Sequence, residues 1–338
     1  MTPALLTSKL VQQHKSPTDV VGLELGAESA EGVPAVRLRK REGKTELLAA
    51  GFLDLPGTLP DNPELPPAPG TTVWNLPRAF QAPHAALTVS SKFAFLRQST
   101  GTGEEGAEKK QIPYRQVSRV IAPDLPPFIV GLPEFQAAWA AHLLPEGRRP
   151  TACSLQVSAA AAMSCFVANP AFAGASGNAV TLFVFPKYTA LAAFQDTHLV
   201  LYREHPTGAD HLRTAISAQM HIEIGLADAV LEDTLIDPTP IIEPVLRPLF
   251  RQVEISADYL LRRRNCPVQH FFVCGLAAGS RYWSTVFAHM MNQPLTFCKT
   301  LEGIEVVANL SSLPKDLNAA APLLMAATGA ARAVLEDA

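Results

Sequence analysis

The sequence has little charge, and what it has is almost balanced. Charged residues make up 17% of the 338 residues, and the formal net charge is −3. The chain therefore lacks the basic field that holds nucleic acid or an anionic bilayer. The cluster Arg262-Arg263-Arg264 falls at the end of a predicted helix, where cations interact favourably with the helix dipole. These features predict no nucleic-acid partner.

Long apolar runs and a recognisable secretory leader are also missing. Residues 1–20 lack a basic region followed by an apolar stretch, and no window of 18 or more residues is continuously apolar. The apolar run at residues 178–185 is stopped by Pro186-Lys187. We expect a cytoplasmic protein with no direct membrane insertion, which reaches a membrane only through a partner.

Cysteine and histidine are present but are not arranged as ligands. The five cysteines are scattered without a C-x-x-C pair, which predicts reduced thiols in a cytosolic protein. The nine histidines show no H-E-x-x-H or similar spacing. The sequence therefore predicts no metal site built from protein ligands alone.

The most informative stretch that is present is Val21-Gly22-Leu23-Glu24-Leu25-Gly26-Ala27-Glu28-Ser29. An apolar strand ends in a glycine turn, with a carboxylate at Glu24 and a small hydroxyl residue at Ser29. Glycine lets backbone N–H groups approach an anion, and a carboxylate can hold a hydrated metal. A glycine hairpin that only ends a buried strand is the alternative explanation.

Hydrophobic patterning predicts the same order of elements twice. Three strands at 19–25, 33–38 and 45–53 open the chain, and three more at 178–185, 189–194 and 198–203 precede a helix from residue 210. We predict further strands at 84–97, 127–130, 153–157, 268–274 and 294–297. Helices are predicted at 132–144, 158–167, 242–260, 281–292 and 319–335.

Three stretches carry a resemblance to a known family. They are residues 21–29, residues 191–212 with the sequence Pro206-Thr207-Gly208-Ala209-Asp210-His211-Leu212, and residues 254–279 continuing through 294–306. In their order they resemble the actin-like fold, and within it the PilM family of type IV pilus assembly and its relative FtsA. The resemblance implies an α/β, ribonuclease-H-like duplicated fold of two lobes, with a small subdomain inserted in the first lobe.

The resemblance also implies domain boundaries. The first lobe is expected at 1–84, 152–175 and 318–338, and the inserted subdomain at 85–151. The second lobe is expected at 176–317, with a helical part at about 223–266.

A nucleotide site is the second implication of the resemblance, with ATP and Mg²⁺ as its ligands. If binding is retained, the matching residues are Glu24, Gly26, Ser29, Lys187, Thr189, Gly275, Gly279 and Ser280. The departures are severe, because Phe183 stands where the family has a metal-holding Asp and Phe185-Pro186 replaces a glycine and removes an N–H donor. We therefore expect a pseudo-ATPase with no catalytic residue.

The family resemblance further implies a scaffold at the inner membrane. PilM proteins bind the N-terminal tail of the membrane protein PilN between the first lobe and the inserted subdomain, and other components of the pilus platform are further implied partners. Candidates for an apolar peptide groove here are Phe93, Phe95 and Phe128, although each could instead fill the subdomain core. The alternatives are a nucleotide-binding ATPase or phosphotransferase of the same fold, and an FtsA-like filament-forming protein of cell division.

Overall fold

The computed structural model describes residues 17–27, 31–61, 73–99, 112–120, 125–144, 149–175, 177–232, 235–276 and 281–336. The chain divides into two compact units. The first unit comprises Met1–Pro170 and Thr300–Ala338, and the second comprises Ala171–Lys299.

The regular elements occur in runs of strands and runs of helices along the chain. The strands are β1 (Asp19–Leu25), β2 (Val33–Arg41), β3 (Lys44–Leu53), β4 (His84–Val89), β5 (Phe95–Gln98), β6 (Tyr114–Arg119), β7 (Phe128–Pro133), β8 (Thr151–Val157), β9 (Asn178–Val184), β10 (Thr189–Gln195), β11 (His198–His205), β12 (His270–Gly275), β13 (Thr296–Phe297) and β14 (Glu305–Val306). The helices are α1 (Glu134–Leu143), α2 (Ser158–Val167), α3 (Pro170–Ala173), α4 (Ala209–Met220), α5 (Ala227–Glu232), α6 (Thr239–Arg264), α7 (Arg281–Met291), α8 (Leu317–Ala320) and α9 (Met325–Glu336).

The main sheets of the two units share one topology. In the first unit the order is β14-β3-β2-β1-β4-β8, and in the second it is β11-β10-β9-β12-β13. Each contains three consecutive antiparallel strands, a fourth strand that pairs in parallel with the first of the three, and a fifth that pairs in parallel with the fourth. Strand β14 adds a sixth strand to the first sheet by pairing in parallel with β3. The predicted repeat of strand pattern is therefore a repeat of sheet topology.

A second, three-stranded sheet lies within the first unit, with the order β5-β7-β6 and antiparallel pairing throughout. Its buried face carries Leu96, Phe128, Val130 and Leu132. The chain then continues directly into α1, which buries Trp139 and Leu143 in the same core as β1 and β4. This sheet and helix lie within residues 85–151, the range expected for the inserted subdomain.

Helix α9 covers the other face of the six-stranded sheet and packs closely on α2. The contact requires glycine at two positions. A Cβ atom on Gly22 would lie 1.9 Å from the carbonyl oxygen of Ala327, and one on Gly329 would lie 1.8 Å from that of Ala161. Gly22 on β1 and Gly329 on α9 thus allow the backbone of α9 to approach the backbones of β1 and α2 closely.

Several elements differ from the prediction. The expected strand at 84–97 is interrupted, because the Ser91 hydroxyl accepts hydrogen bonds from the N–H groups of Phe93 and Ala94 and holds a turn there. The C-terminal helix α9 starts at Met325, after α8 and a 3-10 turn. Strands β6 and β14 were not predicted, since one is polar and the other has two residues.

The expected domain boundaries also need correction at two places. Residues 300–317 group with the first unit, because β14 pairs in parallel with β3. Residues 85–89 belong to β4, which pairs with β1 in the main sheet, so the inserted part starts after this strand. No helix among the described residues has both the length and the apolar character needed to cross a bilayer.

Candidate functional site

Glu24, the carboxylate of the sequence motif, is buried at the end of β1. Its exposed fraction is 6%. Burial raises the pKa of the Glu24 carboxyl group from 4.5 to about 7, and a hydrogen bond with the side chain of Ser158 partly opposes this rise. Near neutral pH a proton therefore competes with any cation for the carboxyl oxygens.

Polar side chains line up beside Glu24 across the parallel strands. Glu24 is in register with Thr88, and Thr88 is in register with Gln156. The hydroxyl groups of Thr88 and Ser158 are hydrogen-bonded at 3.3 Å. Gln156 is 2% exposed, and neither of its amide atoms has a hydrogen-bond partner among the described residues. The strand ends therefore form a buried polar row in the first unit.

Sequence reasoning missed three members of this row, which are Thr88, Gln156 and Ser158. Ser154, Gln156 and Ser158 occupy alternate positions at the end of β8 and the start of α2, between apolar neighbours. The sequence signal that could have identified them is the occurrence of polar residues at alternate positions of a strand with apolar neighbours.

Both the backbone conformation and the close packing at position 26 require glycine. Its φ is +74°, and a Cβ atom there would lie 2.4 Å from both the carbonyl oxygen of Ser90 and the Cδ2 atom of Leu59. The Ser90 N–H donates to the carbonyl oxygen of Leu25 at 2.8 Å. The turn is thus packed against the protein's own chain. Ser29 lies outside the described residues.

In the second unit, the turn between β9 and β10 is closed by its own contacts. The N–H of Phe185 donates to the carbonyl oxygen of Tyr188 at 2.9 Å, and the two rings stack with centroids 4.6 Å apart. The buried hydroxyl of Thr189 donates to the carbonyl oxygen of Thr207 at 2.6 Å. Lys187 is exposed at the tip of the turn.

The N-terminus of α4 binds the same turn. The N–H groups of Ala209 and Asp210 donate to the carbonyl oxygens of Phe185 and Pro186, at 3.0 and 2.9 Å. A Cβ atom on Gly208 would lie 2.4 Å from each of these oxygens, so glycine permits the approach. The amides that a helix terminus could offer to an anion are engaged by protein carbonyls here.

Gly275 ends β12 next to this turn. It is in register with Val184, which also pairs with Thr189, so the three residues lie side by side on adjacent strands. Gly275 has a φ of +78°, and the N–H of Leu276 donates to the carbonyl oxygen of Val184 at 3.1 Å. Gly279 and Ser280 lie outside the described residues.

These contacts bear on whether the residues fit ATP and Mg²⁺. In the second unit, the Thr189 hydroxyl and the first amides of α4 are bound to protein carbonyls, and Phe183 is fully buried in the core. The described residues of the turn between β9 and β10 and of the N-terminus of α4 therefore do not fit a phosphate group. Within the described ranges, no three His, Cys, Asp or Glu side chains are grouped as potential metal ligands.

The three phenylalanines predicted for a peptide groove lie in different environments. Phe128 is fully buried on the core face of the small sheet, which corrects its assignment as a groove residue. The reason is strand register, since Phe128 pairs with Gln98 and Arg119 on the face that also carries Leu96.

Phe95 lies on the opposite face and is half-buried. It pairs with Gly131, whose missing side chain makes room for the ring, since a Cβ atom there would collide with the ring of Phe95. The ring centroid lies 5.4 Å from that of Tyr114 and 4.6 Å from the guanidinium of Arg97.

Phe93 is half-buried beside α1, with its ring 6.0 Å from that of Phe135 in an edge-to-face arrangement. The turn carrying Phe93 is fixed by Gln136, which is buried on α1. Its side chain accepts a hydrogen bond from the Ser91 hydroxyl at 2.8 Å and donates to the carbonyl oxygen of Pro60 at 2.9 Å. One amide therefore joins α1 to the turn that follows β4 and to the loop at Pro60.

No protein-family model and no curated protein sequence matches the chain. Among solved structures, a chain of the PilM–PilN type IV pilus biogenesis complex is similar with a TM-score of 0.65 and 15% identity, covering 94% of this chain and 98% of that one. The activator of 2-hydroxyisocaproyl-CoA dehydratase from Clostridium difficile, with bound ADPNP, has a TM-score of 0.45 and 10% identity, with 94% and 95% covered. A Bacteroides thetaiotaomicron protein described as having an actin-like ATPase fold has a TM-score of 0.41 and 10% identity, with 92% and 98% covered.

The sheet topology and the first of these similarities agree with each other. Both units repeat one strand order, and the likeness to the PilM–PilN structure extends along nearly the whole chain. The predicted fold class is thereby confirmed: the chain has an actin-like α/β fold and is PilM-like in its architecture.

Proposed function

We propose that this chain is a non-catalytic scaffold of a type IV pilus or related secretion platform. It binds the N-terminal tail of a PilN-like membrane protein and is held in this way at the cytoplasmic side of the inner membrane. The observation that carries the proposal is the similarity to a chain of the PilM–PilN complex over 94% of the sequence.

The turn between β9 and β10, where the hydrogen-bond donors are bound to protein carbonyl oxygens, supports the non-catalytic part of the proposal. Phosphoryl transfer depends on amide and hydroxyl donors that face the phosphate, together with a metal-bound carboxylate. In this turn the donors of Thr189, Ala209 and Asp210 serve protein carbonyls. The Glu24 carboxyl group, with a pKa of about 7, is partly protonated near neutral pH and is therefore a weaker metal ligand.

Phe93 and Phe95 are our candidates for contacts with the partner tail. Both are half-buried aromatic residues, and Phe93 forms an apolar pair with Phe135 next to the hydrogen-bonded Gln136. An extended peptide needs this kind of preformed apolar contact. Phe128 is not included, because its side chain is fully buried.

Calorimetric titration of the full chain tests the proposal. The probes are a synthetic peptide with the N-terminal sequence of a PilN-like protein from the same organism and, separately, ATP with Mg²⁺. We expect the peptide to release binding heat and the nucleotide to produce neither heat nor a thermal shift. Nucleotide binding without peptide binding would contradict the scaffold and favour the ATPase alternative.

A matched pair of variants tests the assigned contacts. Phe93→Ala is expected to weaken peptide binding about tenfold, because the lost ring contact is worth about 1.4 kcal/mol. Leu261→Ala removes an apolar side chain that is 50% exposed on α6, and it is expected to leave peptide affinity unchanged. Equal peptide affinity of the two variants would show that Phe93 does not contact the peptide. The scaffold proposal itself is tested by the titration of the unmodified chain.

A further inference from the structure

Two of the five cysteines lie side by side in the sheet of the second unit. Strands β12 and β13 pair in parallel, and their register ends with Val273 opposite Phe297. Cys274 is the next residue on β12, and Cys298 directly follows β13. The N–H of Cys298 donates to the carbonyl oxygen of Val273 at 2.9 Å, so the two backbones are still adjacent there. Cys274 and Cys298 therefore occupy neighbouring positions across the sheet.

The geometry of these two positions suits a disulfide bond. Neighbouring residues of paired strands carry their side chains on the same face of the sheet, with Cα atoms about 4.8 Å apart. A disulfide requires Cα atoms that are about 4.4 to 6.8 Å apart. Both residues are thiols in this structure, and Cys274 is 3% and Cys298 1% exposed. A bond between the two sulfur atoms therefore requires only small local adjustments.

The other three cysteines lack a cysteine neighbour of this kind. Cys153 lies on β8, which pairs with β4 in the first unit, and burial raises the pKa of its thiol to about 11. Its thiol, like those of Cys165 and Cys266, donates to a backbone carbonyl oxygen. All five cysteines fall within the described residues, and no other two of them occupy neighbouring positions of paired strands. The pair at 274 and 298 is therefore the candidate for redox chemistry.

Cys298 lies at an edge of the sheet that can open. In the described part of the chain, β13 is the outermost strand of its sheet, contains two residues and pairs only with β12. Thr296 and Lys299, which flank this segment, are exposed. A short edge strand has few backbone hydrogen bonds to lose, so it opens locally at low cost. Opening brings Cys298 to solvent, while Cys274 stays in β12.

We propose that Cys274 and Cys298 form a redox-dependent latch between β12 and β13, closed by a disulfide bond and opened by reduction. The oxidant is a low-molecular-weight disulfide such as glutathione disulfide. The Cys298 thiolate attacks one of its sulfur atoms, which forms a mixed disulfide and releases one glutathione thiolate. The Cys274 thiolate then attacks the Cys298 sulfur, which forms the protein disulfide and releases the second glutathione thiolate. The two glutathione thiolates take up the two protons that the cysteines lose, and excess reduced glutathione reverses both steps.

The closed latch is expected to stabilise the second unit. The disulfide closes a covalent loop over residues 274–298, which lowers the conformational entropy of the unfolded chain. It also prevents β13 from leaving the edge of the sheet. In the reducing cytoplasm that the sequence predicts the latch is open, and it closes when the glutathione pool becomes oxidised. The proposal does not depend on the PilN-like partner.

Oxidation of the full, folded chain with glutathione disulfide tests the proposal. The remaining thiols are then blocked with iodoacetamide in denaturant, and mass spectrometry of a proteolytic digest identifies each alkylated or linked cysteine. Urea unfolding of the oxidised and the reduced protein measures the effect on stability. The latch variants are Cys274→Ala and Cys298→Ala. The matched control is Cys266→Ala, which removes another buried thiol of the same unit.

We expect the wild-type chain and the control to gain a link between the peptides of Cys274 and Cys298, and to lose it with excess reduced glutathione. Both should unfold at a urea concentration about 1 M higher when they are oxidised, and neither latch variant should show this increase.

A wild-type chain that keeps all five thiols, or that carries only glutathione adducts, would overturn the proposal. A disulfide between any other two cysteines would do the same, as would equal urea midpoints of the oxidised and the reduced chain. If a latch variant fails to fold, the peptide map of the wild-type chain and its two midpoints decide the question.

Discussion

The carboxyl group of Glu24, at the end of β1, forms a hydrogen bond with the side chain of Ser158, the first residue of α2. Glu24, the possible metal ligand of the sequence motif, is thus buried inside the first unit, next to Thr88 and the unpartnered amide of Gln156. A group in this position links proton binding to the stability of the fold.

Stability should therefore fall as the pH rises through the Glu24 titration. The pKa is 4.5 without burial and about 7 in the folded chain, so the folded state binds the proton more tightly. The favourable contribution is fully present below pH 4.5 and is lost between pH 4.5 and 7, with a difference of about 3 kcal/mol. Glu24→Gln should remove this dependence and be the more stable protein at pH 8.

Urea unfolding at pH 5 and pH 8 measures the effect in both proteins. The control is Glu305→Gln, which changes an exposed carboxylate paired with Lys44 and should alter stability by less than about 1 kcal/mol. A Glu24→Gln variant that is less stable than the wild type at pH 8 would mean that the ionised carboxylate is stabilised by contacts other than Ser158.

Thr189→Val should destabilise the second unit by about 1–2 kcal/mol. The substitution keeps the shape of the side chain but removes the donor to the Thr207 carbonyl oxygen, which lies 2.6 Å from the hydroxyl in a buried position. Thr296→Val, on the exposed part of β13, is the matched control. Chemical denaturation gives both values, and equal stability of the two variants would show that water replaces the lost donor.

Gln136→Leu should loosen the turn at Ser91 as well as lower the free energy of unfolding by about 2 kcal/mol. The Ser91 hydroxyl would lose its acceptor and the Pro60 carbonyl oxygen its donor. Hydrogen exchange at the amides of Phe93 and Ala94, which donate to Ser91, reports the turn directly. Gln293→Leu, at an exposed position, controls for the amide-to-leucine change, and unchanged exchange at both amides would contradict the bridging role.

Gly329→Ala should destabilise the first unit by about 2–3 kcal/mol, because the added methyl group would lie 1.8 Å from the carbonyl oxygen of Ala161 and force α9 away from α2. Gly225→Ala adds the same group where no atom lies within 4 Å, and it should be neutral or slightly stabilising. Thermal melting compares the two, and similar melting temperatures would show that the helices can separate without cost.

Local patterning was sufficient for the strands of the repeat. The predicted strand at 19–25 coincides with β1, and the strands after residue 178 were found because continuous apolar runs end in turn residues. Strand β6 was not predicted, because it is a polar segment with largely exposed side chains, and among the described residues it pairs only with the next strand, β7. Pairing at the edge of a sheet leaves no hydrophobic periodicity in a polar segment.

The candidate site was predictable in its residues but not in their environments. The motif at Glu24 and Gly26 marks the end of a strand, whereas the pKa of Glu24 depends on its burial and on a hydrogen bond with Ser158, a residue more than a hundred positions away. In the same way, nothing local distinguishes Phe95 from Phe128. Strand register places one beside Gly131 on the outer face and the other in the core.

The sequence by itself therefore determined a strand pattern that occurs twice. Its resemblance to the actin-like fold implied the fold class, and it implied that Phe183 and Phe185-Pro186 replace a metal-binding Asp and a flexible glycine. Only the tertiary structure decided that Thr189 and the first amides of α4 bind protein carbonyls and that Phe128 is covered. Periodicity is a property of neighbouring residues, while burial and hydrogen-bond partnership depend on which distant segments pack together.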